Sequence, residues 1–209
     1  MVIFDIDGTL VDSVGLIVAS YQYAFRTVYG HEWDEAEIKT WIGLSLRGVM
    51  DEHFPADADR LFALYTEWVE PHAAECIRAY PGIPALIADL LAAGVRVGGA
   101  TSKRRDQAEV SLTLGDLTSL IPTLVAHEDV DAHKPDPAPL LLAVERAGGT
   151  PGRSVYVGDA VVDLQAAHAA GMDAVGVTWG AGVRTALAAA GPVALADTVA
   201  DLRAVLLPR

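Results

Sequence analysis

Cationic residues are scarce in this chain of 209 residues, which has 15 Lys and Arg against 28 Asp and Glu. The formal net charge is therefore −13. Proteins that bind nucleic acids or anionic membrane surfaces need clustered Lys and Arg, so we expect neither partner. An anionic substrate is also disfavoured, unless a bound cation reverses the charge locally.

The chain has one cysteine, Cys76, so no disulfide framework can form within it. We expect Cys76 to be a small core residue of a helix rather than a nucleophile. Long apolar runs are also absent, because Asp5 interrupts the first one and residues 185–196 are too short to cross a bilayer. These absences predict a soluble, cytoplasmic protein, and the 52% of hydrophobic residues suffices for a core.

Short apolar runs alternate with amphipathic segments through the second half of the chain. We predict strands over residues 2–4, 95–100, 123–126, 154–157 and 173–177. We predict helices between and after them, over residues 83–93, 104–114, 137–147, 161–170 and 184–190. This alternation predicts an α/β fold, a doubly wound parallel sheet whose ligands bind at the carboxyl ends of the strands.

One region, residues 14–81, interrupts this alternation because it has no strand-like run. Its pattern predicts four helices, over residues 16–29, 35–41, 46–53 and 57–75. We interpret the region as an inserted all-helical unit over a core domain of residues 1–13 and 82–209. The alternative is that these helices only extend the core.

Two pairs of acids each follow a predicted strand. Asp5 and Asp7 stand two residues apart in an extended segment, so their side chains point to the same side. Asp159 follows a later strand, and Asp163 falls in the first turn of the next helix. An ordinary Asp-Gly turn and helix capping are the structural alternatives. Four converging carboxylates indicate instead a site for Mg²⁺, which prefers hard oxygen ligands.

Groups that suit an anion follow two further strands. Thr101 and Ser102 offer hydroxyls and backbone N–H groups at a helix start. Lys134 lies in a loop between prolines and could bind phosphate oxygens. Taken singly these residues are commonplace, so the prediction depends on the order in which they follow the acidic pairs.

With these motifs in this order, the sequence resembles the haloacid dehalogenase superfamily, above all its phosphoglycolate-phosphatase-like hydrolases. The resemblance covers nearly the whole chain, in the segments DGTLVDS, YPGIPALIADLLAAG, TSK, KPDPAPLLLA and YVGDAVVDLQAAHAAGM. It implies a Rossmann-like core domain and makes residues 14–81 a helical cap domain.

The resemblance also implies roles in phosphoryl transfer. Asp5 would be the nucleophile that forms an aspartyl-phosphate, and Asp7 the general acid and then the base. Thr101 would hydrogen-bond the phosphoryl oxygens, and Lys134 would neutralise them and orient Asp5.

The cofactor that the resemblance implies is Mg²⁺. Asp5, the backbone carbonyl of Asp7 and Asp159 would hold the ion, with Asp163 acting directly or through water.

The motifs say less about the roles of residues around the entrance to the predicted site. Arg47, in the predicted cap, could bind a substrate carboxylate or second anion, or could be a solvated helix residue. Lys103 and Arg104 could likewise line the entrance, although we expect them to be a solvated helix start. Ser102 and Ala160 depart from common family residues, Asn and Ser or Thr respectively, without removing a catalytic role.

The expected function is that of a Mg²⁺-dependent phosphatase of a small, phosphoglycolate-like phosphomonoester. Its partner would be a small phosphorylated metabolite, and it would be a monomer or a homodimer. Nucleotidase, pyrophosphatase and sugar-phosphate mutase activities are alternatives, although residues 14–18 lack the histidine of such mutases. A receiver-like signalling domain is the alternative of another class, but receivers place the accepting Asp on a middle strand.

Overall fold

The computed structural model describes residues 1–207 of the chain. The strands are β1 (Val2–Phe4), β2 (Val11–Asp12), β3 (Arg78–Ala79), β4 (Val97–Ala100), β5 (Leu124–Val125), β6 (Val155–Gly158), β7 (Asp173–Val177) and β8 (Ala194–Ala196). The helices are α1 (Val14–Tyr29), α2 (Glu35–Trp41), α3 (Leu46–His53), α4 (Ala58–Cys76), α5 (Ile83–Ala92), α6 (Arg105–Leu114), α7 (Ala138–Arg146), α8 (Val161–Ala169), α9 (Arg184–Ala189) and α10 (Val199–Leu206).

Six of the strands in this part of the chain form one parallel sheet, in the order β5, β4, β1, β6, β7, β8. The chain extends the sheet to one side of β1 through β4 and β5, and to the other side through β6 to β8. The junction between β1 and β6 is therefore a topological switch point, where connections leave in opposite directions and open a crevice. The predicted fold class, a doubly wound parallel α/β sheet, is confirmed.

Alternation along β1 separates the two faces of the sheet. Val2 and Phe4 point to the face that α5 and α10 cover, while Ile3 points to the face that α7 and α8 cover. All three side chains are at most 3% exposed. The central strand is thus buried on both faces, as its continuous apolar run indicates.

Helices α1 to α4 lie between β2 and β3, which form a small antiparallel ribbon. Their buried side chains belong to the same apolar cluster as Val2 and Phe4. Within the helices, Phe25 is fully buried, with its ring centroid 5.0 Å from those of both Trp33 and Phe54. Aromatic packing of this kind holds the four short helices to one another.

The structure differs from the sequence prediction mainly at the outer edge of the sheet and at the end of α4. Strand β8 and helix α10 were not predicted, because Ala194-Leu195-Ala196 has little intrinsic strand propensity and is a strand through its pairing with β7. Cys76 is exposed at the end of α4, so its interpretation as a core residue is wrong. Residues 208 and 209, the end of the predicted core domain, lie outside the described residues.

Among residues 1–207, no helix is both long enough and apolar enough to cross a membrane.

Replacing Phe25 tests the packing of the helical region. We expect Phe25→Ala to lower the free energy of unfolding by about 3–5 kcal/mol, because it leaves a cavity among large rings. The exposed Val110→Ala on α6 serves as control and should change it by less than about 0.5 kcal/mol. Chemical denaturation measures both, and equal effects would contradict the assigned packing.

Candidate active site

Three neighbouring strands end in polar residues at one edge of the sheet. Asp5 follows β1, Thr101 follows β4 and Asp159 follows β6, and β1 lies between the other two strands. These side chains are 2%, 4% and 1% exposed. The sheet register therefore brings together residues that lie up to 154 positions apart in the sequence.

A buried acidic cluster forms at this edge from Asp5, Asp159 and Asp163. Each contributes a carboxylate oxygen that lies within 4.8 Å of the others. Lys134 is buried with them, and its Nζ lies 3.0 Å from Asp5 Oδ1 and 2.7 Å from Asp163 Oδ1. When all are ionised, three carboxylates against one ammonium leave two uncompensated negative charges away from water.

Asp159 is held by two donors. Its Oδ1 accepts a hydrogen bond from the hydroxyl of Thr9 at 3.1 Å, and its Oδ2 accepts one from the backbone N–H of Ala181 at 2.7 Å. Burial and then the charge of Asp163 nevertheless raise the pKa of Asp159 to about 7. Gly8, with a φ of +71°, is needed beside it, since any Cβ there would clash with this carboxylate.

Asp163 combines two roles at the start of α8. Its Oδ2 accepts a hydrogen bond from the backbone N–H of Ala160 at 3.0 Å, while its Oδ1 binds Lys134. The capping alternative considered for this residue thus describes part of what it does. Asp163 therefore holds Lys134 beside Asp5 while it also belongs to the acidic cluster.

Asp5 presents one free oxygen to solvent. Its Oδ1 binds Lys134, whereas its Oδ2 accepts no hydrogen bond from residues 1–207 and no fully buried polar atom there lacks a partner. Asp5 lines a cavity, so Oδ2 opens into it. Burial raises the pKa of Asp5 well above its usual value, and Lys134 partly offsets this.

Lys134 is fixed from a third side by Tyr156. The Tyr156 hydroxyl lies 3.3 Å from Lys134 Nζ and donates a hydrogen bond to the carbonyl of Ala100 at 2.8 Å. Burial alone would lower the pKa of Lys134, but Asp163 and Asp5 outweigh it and raise the pKa well above its usual value. Lys134 therefore remains a cation at every ordinary pH.

The donor set of the acidic cluster fits Mg²⁺. All the candidate ligands are oxygens, as this hard cation requires, and its two charges would balance the two left by the cluster and Lys134. Crowded carboxylates whose pKa values are raised, as those of Asp5 and Asp159 are, would be relieved by such a cation.

The Asp7 carboxylate lies outside that cluster. Its Oδ1 accepts hydrogen bonds from Ser13 Oγ and from Lys103 Nζ, each at 2.6 Å. The interpretation of Lys103 as a solvated residue is wrong, because its side chain is 12% exposed. Helix α6 begins only at Arg105, so Lys103 remains in the turn after β4 and reaches back. Its position two residues after Thr101 was the one feature of the sequence that indicated a place for Lys103 near the site.

The cavity above Asp5 has a volume of about 280 Å³. Asp5, Asp7 and Thr101 line its floor, and residues of the helical region line its walls. Ser102, predicted to bind substrate, donates its hydroxyl hydrogen to the carbonyl of Gly43 at 2.7 Å. Gly43 has a φ of +95°, which favours glycine. The helical region is thereby seated on the edge of the sheet.

Arg47 lies at the wall of the same cavity. Its guanidinium binds Asp51 in bidentate fashion, at 2.8 and 2.7 Å, and also contacts Asp59. Both partners are carboxylates of the protein, so in this structure its charge is already compensated.

This chain is similar to several known proteins. The family model for haloacid dehalogenase-like hydrolases matches residues 2–177. Pyrophosphatase PpaX of Bacillus cereus (strain AH820) is 29% identical over 205 residues, 98% of this chain and 95% of that protein. The solved structure of a hydrolase from Pseudomonas syringae is 29% identical, with a TM-score of 0.86 over 96% of this chain and 94% of that one. A predicted phosphoglycolate phosphatase from Haemophilus somnus, 24% identical, shares the fold with a TM-score of 0.86 over 99% and 97% of the two chains.

The raised pKa of Asp159 predicts how stability changes with pH when divalent cations are removed. The folded state holds this proton up to about pH 7, whereas the usual value is 3.8. Its stabilising contribution is therefore complete below the lower value and is lost as pH rises through about 7. The difference in Tm, wild type minus Asp159→Asn, should fall between about pH 5 and about pH 8 in a chelating buffer.

The two proteins share every other titrating group, so the difference reports Asp159 together with the carboxylates whose pKa depends on it, such as Asp5. Added Mg²⁺ should raise the Tm of the wild type more at about pH 8 than at about pH 5, because binding requires the ionised carboxylate. A difference that stays constant or rises with pH would contradict the assignment.

Proposed function

The chain belongs to the haloacid dehalogenase-like hydrolase family, and we propose that it is a Mg²⁺-dependent phosphatase of a small phosphomonoester. The observation that carries the proposal is the Oδ2 of Asp5, which opens into the cavity while Oδ1 is held by Lys134. A carboxylate fixed on one oxygen and free on the other is suited to attack a phosphorus atom.

The reaction begins when Asp5 Oδ2 attacks phosphorus and the ester P–O bond breaks, which leaves an aspartyl-phosphate. Asp7 gives its proton to the departing alkoxide oxygen, so that a neutral alcohol leaves. Asp7 then takes a proton from water as the water oxygen attacks phosphorus. The bond to Asp5 breaks, and inorganic phosphate leaves.

Lys134 and Thr101 stabilise the charge on the transferred group. Lys134 is a permanent cation next to Asp5, and the hydroxyl of Thr101 opens on the same cavity floor. Both are held before substrate arrives, Lys134 by two carboxylates and Thr101 by its place directly after β4. Such preorganisation is the main source of rate enhancement in phosphoryl transfer.

Asp5, Asp159 and the backbone carbonyl of Asp7 would hold Mg²⁺, with Asp163 acting directly or through water. The ion supplies positive charge that lets a phosphate approach two carboxylates. Thr9 and Ala181 orient Asp159 for this role.

Residues 14–81 serve in this proposal as a cap domain over the core of residues 1–13 and 82–209. Contact between Ser102 and Gly43 seats the cap on the sheet edge. The β2–β3 ribbon pairs the two segments through which the chain enters and leaves the cap. A seated cap excludes water that would compete with the intended reaction.

Pyrophosphate hydrolysis is the second candidate, favoured by the likeness to pyrophosphatase PpaX over 98% of this chain. Transfer to Asp5 would proceed in the same way, with phosphate as the leaving group. Assays of phosphomonoesters and of pyrophosphate side by side, with Mg²⁺, distinguish the two.

Replacing Asp5 tests the nucleophile. Asp5→Asn should lower kcat for p-nitrophenyl phosphate by more than about a thousandfold, since an amide oxygen cannot form the phosphorylated intermediate. The exposed Asp173→Asn at the start of β7 loses the same charge and should keep wild-type activity. Full activity of Asp5→Asn, with its Tm preserved, would refute the assignment.

Replacing Asp7 separates the two halves of the reaction. p-Nitrophenolate needs little help from an acid to leave, whereas the later attack of water needs a base. Asp7→Asn should therefore release about one equivalent of p-nitrophenol per enzyme in a burst and then turn over slowly. A uniform slowing without a burst would contradict the role of Asp7 as base.

A further inference from the structure

The cations that line the cavity are all compensated by the protein itself. Arg47 binds Asp51 and Asp59, as described above. Lys103 binds Asp7 at 2.6 Å. Among the lining residues of the described chain, each Lys and Arg side chain thus has a carboxylate partner, Arg104 included.

Arg104 illustrates the pattern at the rim. It binds Asp106 at 2.6 Å and lies 4.0 Å from Glu128, which also lines the cavity. A substrate with a second anionic group would have to displace these carboxylates or lie beside them. Neither choice gains much free energy for the substrate, because no cation there is left unpaired and exposed ion pairs of this kind contribute little.

The wall opposite the acidic cluster is largely aromatic. Tyr21, Trp41, Phe62 and Tyr65 of the helical region line it. The ring centroid of Tyr21 lies 5.5 Å from that of Trp41 and 5.0 Å from that of Tyr65. Rings packed in this way form a continuous apolar surface for a ligand to contact.

Two phenol hydroxyls within this wall have no protein partner. Tyr21 and Tyr65 are 2% and 7% exposed, and neither hydroxyl makes a hydrogen bond with residues 1–207. Because no fully buried polar atom in that range lacks a partner, both hydroxyls keep some accessible surface, and both residues line the cavity. Buried tyrosine hydroxyls are normally paired, so these two are available to a ligand.

Both phenols are also neutral. Burial raises the pKa of Tyr21 and of Tyr65 well above the usual value, and Tyr21 and Asp7 add to the effect on Tyr65. Each can therefore donate or accept one hydrogen bond but offers no charge to an ionic group.

We propose that this cavity binds the alcohol part of a phosphomonoester that is uncharged apart from its phosphate, has an apolar or aromatic body and carries a neutral hydrogen-bonding group. The inference rests on the proposed phosphatase function and specifies its substrate class. The aromatic wall would contact the body, and Tyr21 and Tyr65 would bind the polar group. A volume of about 280 Å³ limits the alcohol to a small one.

This substrate class differs from a phosphoglycolate-like ester and from pyrophosphate, since both bring a second anion into the cavity. The difference can be measured with three matched esters: benzyl phosphate, 4-(hydroxymethyl)benzyl phosphate and 4-carboxybenzyl phosphate. Their ester bonds are alike, so kcat/KM reports recognition of the alcohol.

With wild-type enzyme and Mg²⁺, the hydroxymethyl ester should exceed benzyl phosphate by about two- to tenfold in kcat/KM, the range of one or two neutral hydrogen bonds. The carboxy ester should fall below the hydroxymethyl ester, because its carboxylate finds no unpaired cation in the cavity. Phosphoglycolate and pyrophosphate should be poorer than the hydroxymethyl ester. Tyr65→Phe and Tyr21→Phe should each reduce the advantage of the hydroxymethyl ester over benzyl phosphate.

Freeing Arg47 should change the preference. In Asp51→Asn/Asp59→Asn this guanidinium loses both carboxylates, so the ratio of carboxy to hydroxymethyl ester in kcat/KM should rise by about two- to fivefold, the range of an exposed ion pair. Glu52→Gln/Glu70→Gln is the matched control. These two exposed residues lie on the same helices, α3 and α4, and neither makes an ion pair in the described chain. Their replacement changes the charge by the same amount. It should keep the wild-type ratio.

The outcomes separate the two proposals. If p-nitrophenyl phosphate is hydrolysed but the carboxy ester, phosphoglycolate or pyrophosphate is preferred, the substrate class is wrong and the phosphatase function stands. If the tyrosine variants leave the hydroxymethyl advantage unchanged, the assigned hydroxyl contacts are wrong. If no phosphate ester is hydrolysed with Mg²⁺, the phosphatase function fails, and this inference fails with it.

Discussion

Crowding of three carboxylates around one buried ammonium is the constraint on which the rest of the site depends. Asp5, Asp159 and Asp163 lie within 4.8 Å of one another, and Lys134 alone compensates them from within the protein. A group of this kind is costly unless each oxygen has a donor or a cation. The surrounding structure meets that demand: the hydroxyl of Thr9, the N–H of Ala181 and the first turn of α8 all point into the cluster.

The same constraint relates the overall charge of the protein to its chemistry. A net charge of −13 repels extended anions, but it does not describe the field above Asp5. There Lys134 is fixed between two carboxylates and Lys103 is held by Asp7, and a divalent cation would make the floor of the cavity attractive to a phosphate. On the walls the cations are paired instead with surface acids such as Asp51, which confines the attraction to the phosphate group.

The sequence predicted the class of fold and the convergence of Asp5, Asp159 and Asp163, because the strand ends that carry these residues are encoded locally. An apolar strand that ends in Asp5 or Asp159 can be recognised within a few residues, and parallel strands bring such ends to one edge. Strand β8 was missed because Ala194-Leu195-Ala196 becomes a strand only through its pairing with β7. Lys103 was misinterpreted because its exposure depends on where α6 begins and on Asp7, 96 positions earlier.

By itself, the sequence therefore determined the class of fold, the order of the motifs and the residues that could carry phosphoryl transfer. Only the tertiary structure decided which oxygen of Asp5 is free, which cations are compensated and which tyrosine hydroxyls have no partner in the described chain. The physical reason is that hydrogen bonding and burial are properties of neighbours in space. Tyr21 and Tyr65 of the helical region meet Asp5 only after folding, across a cavity that no local pattern describes.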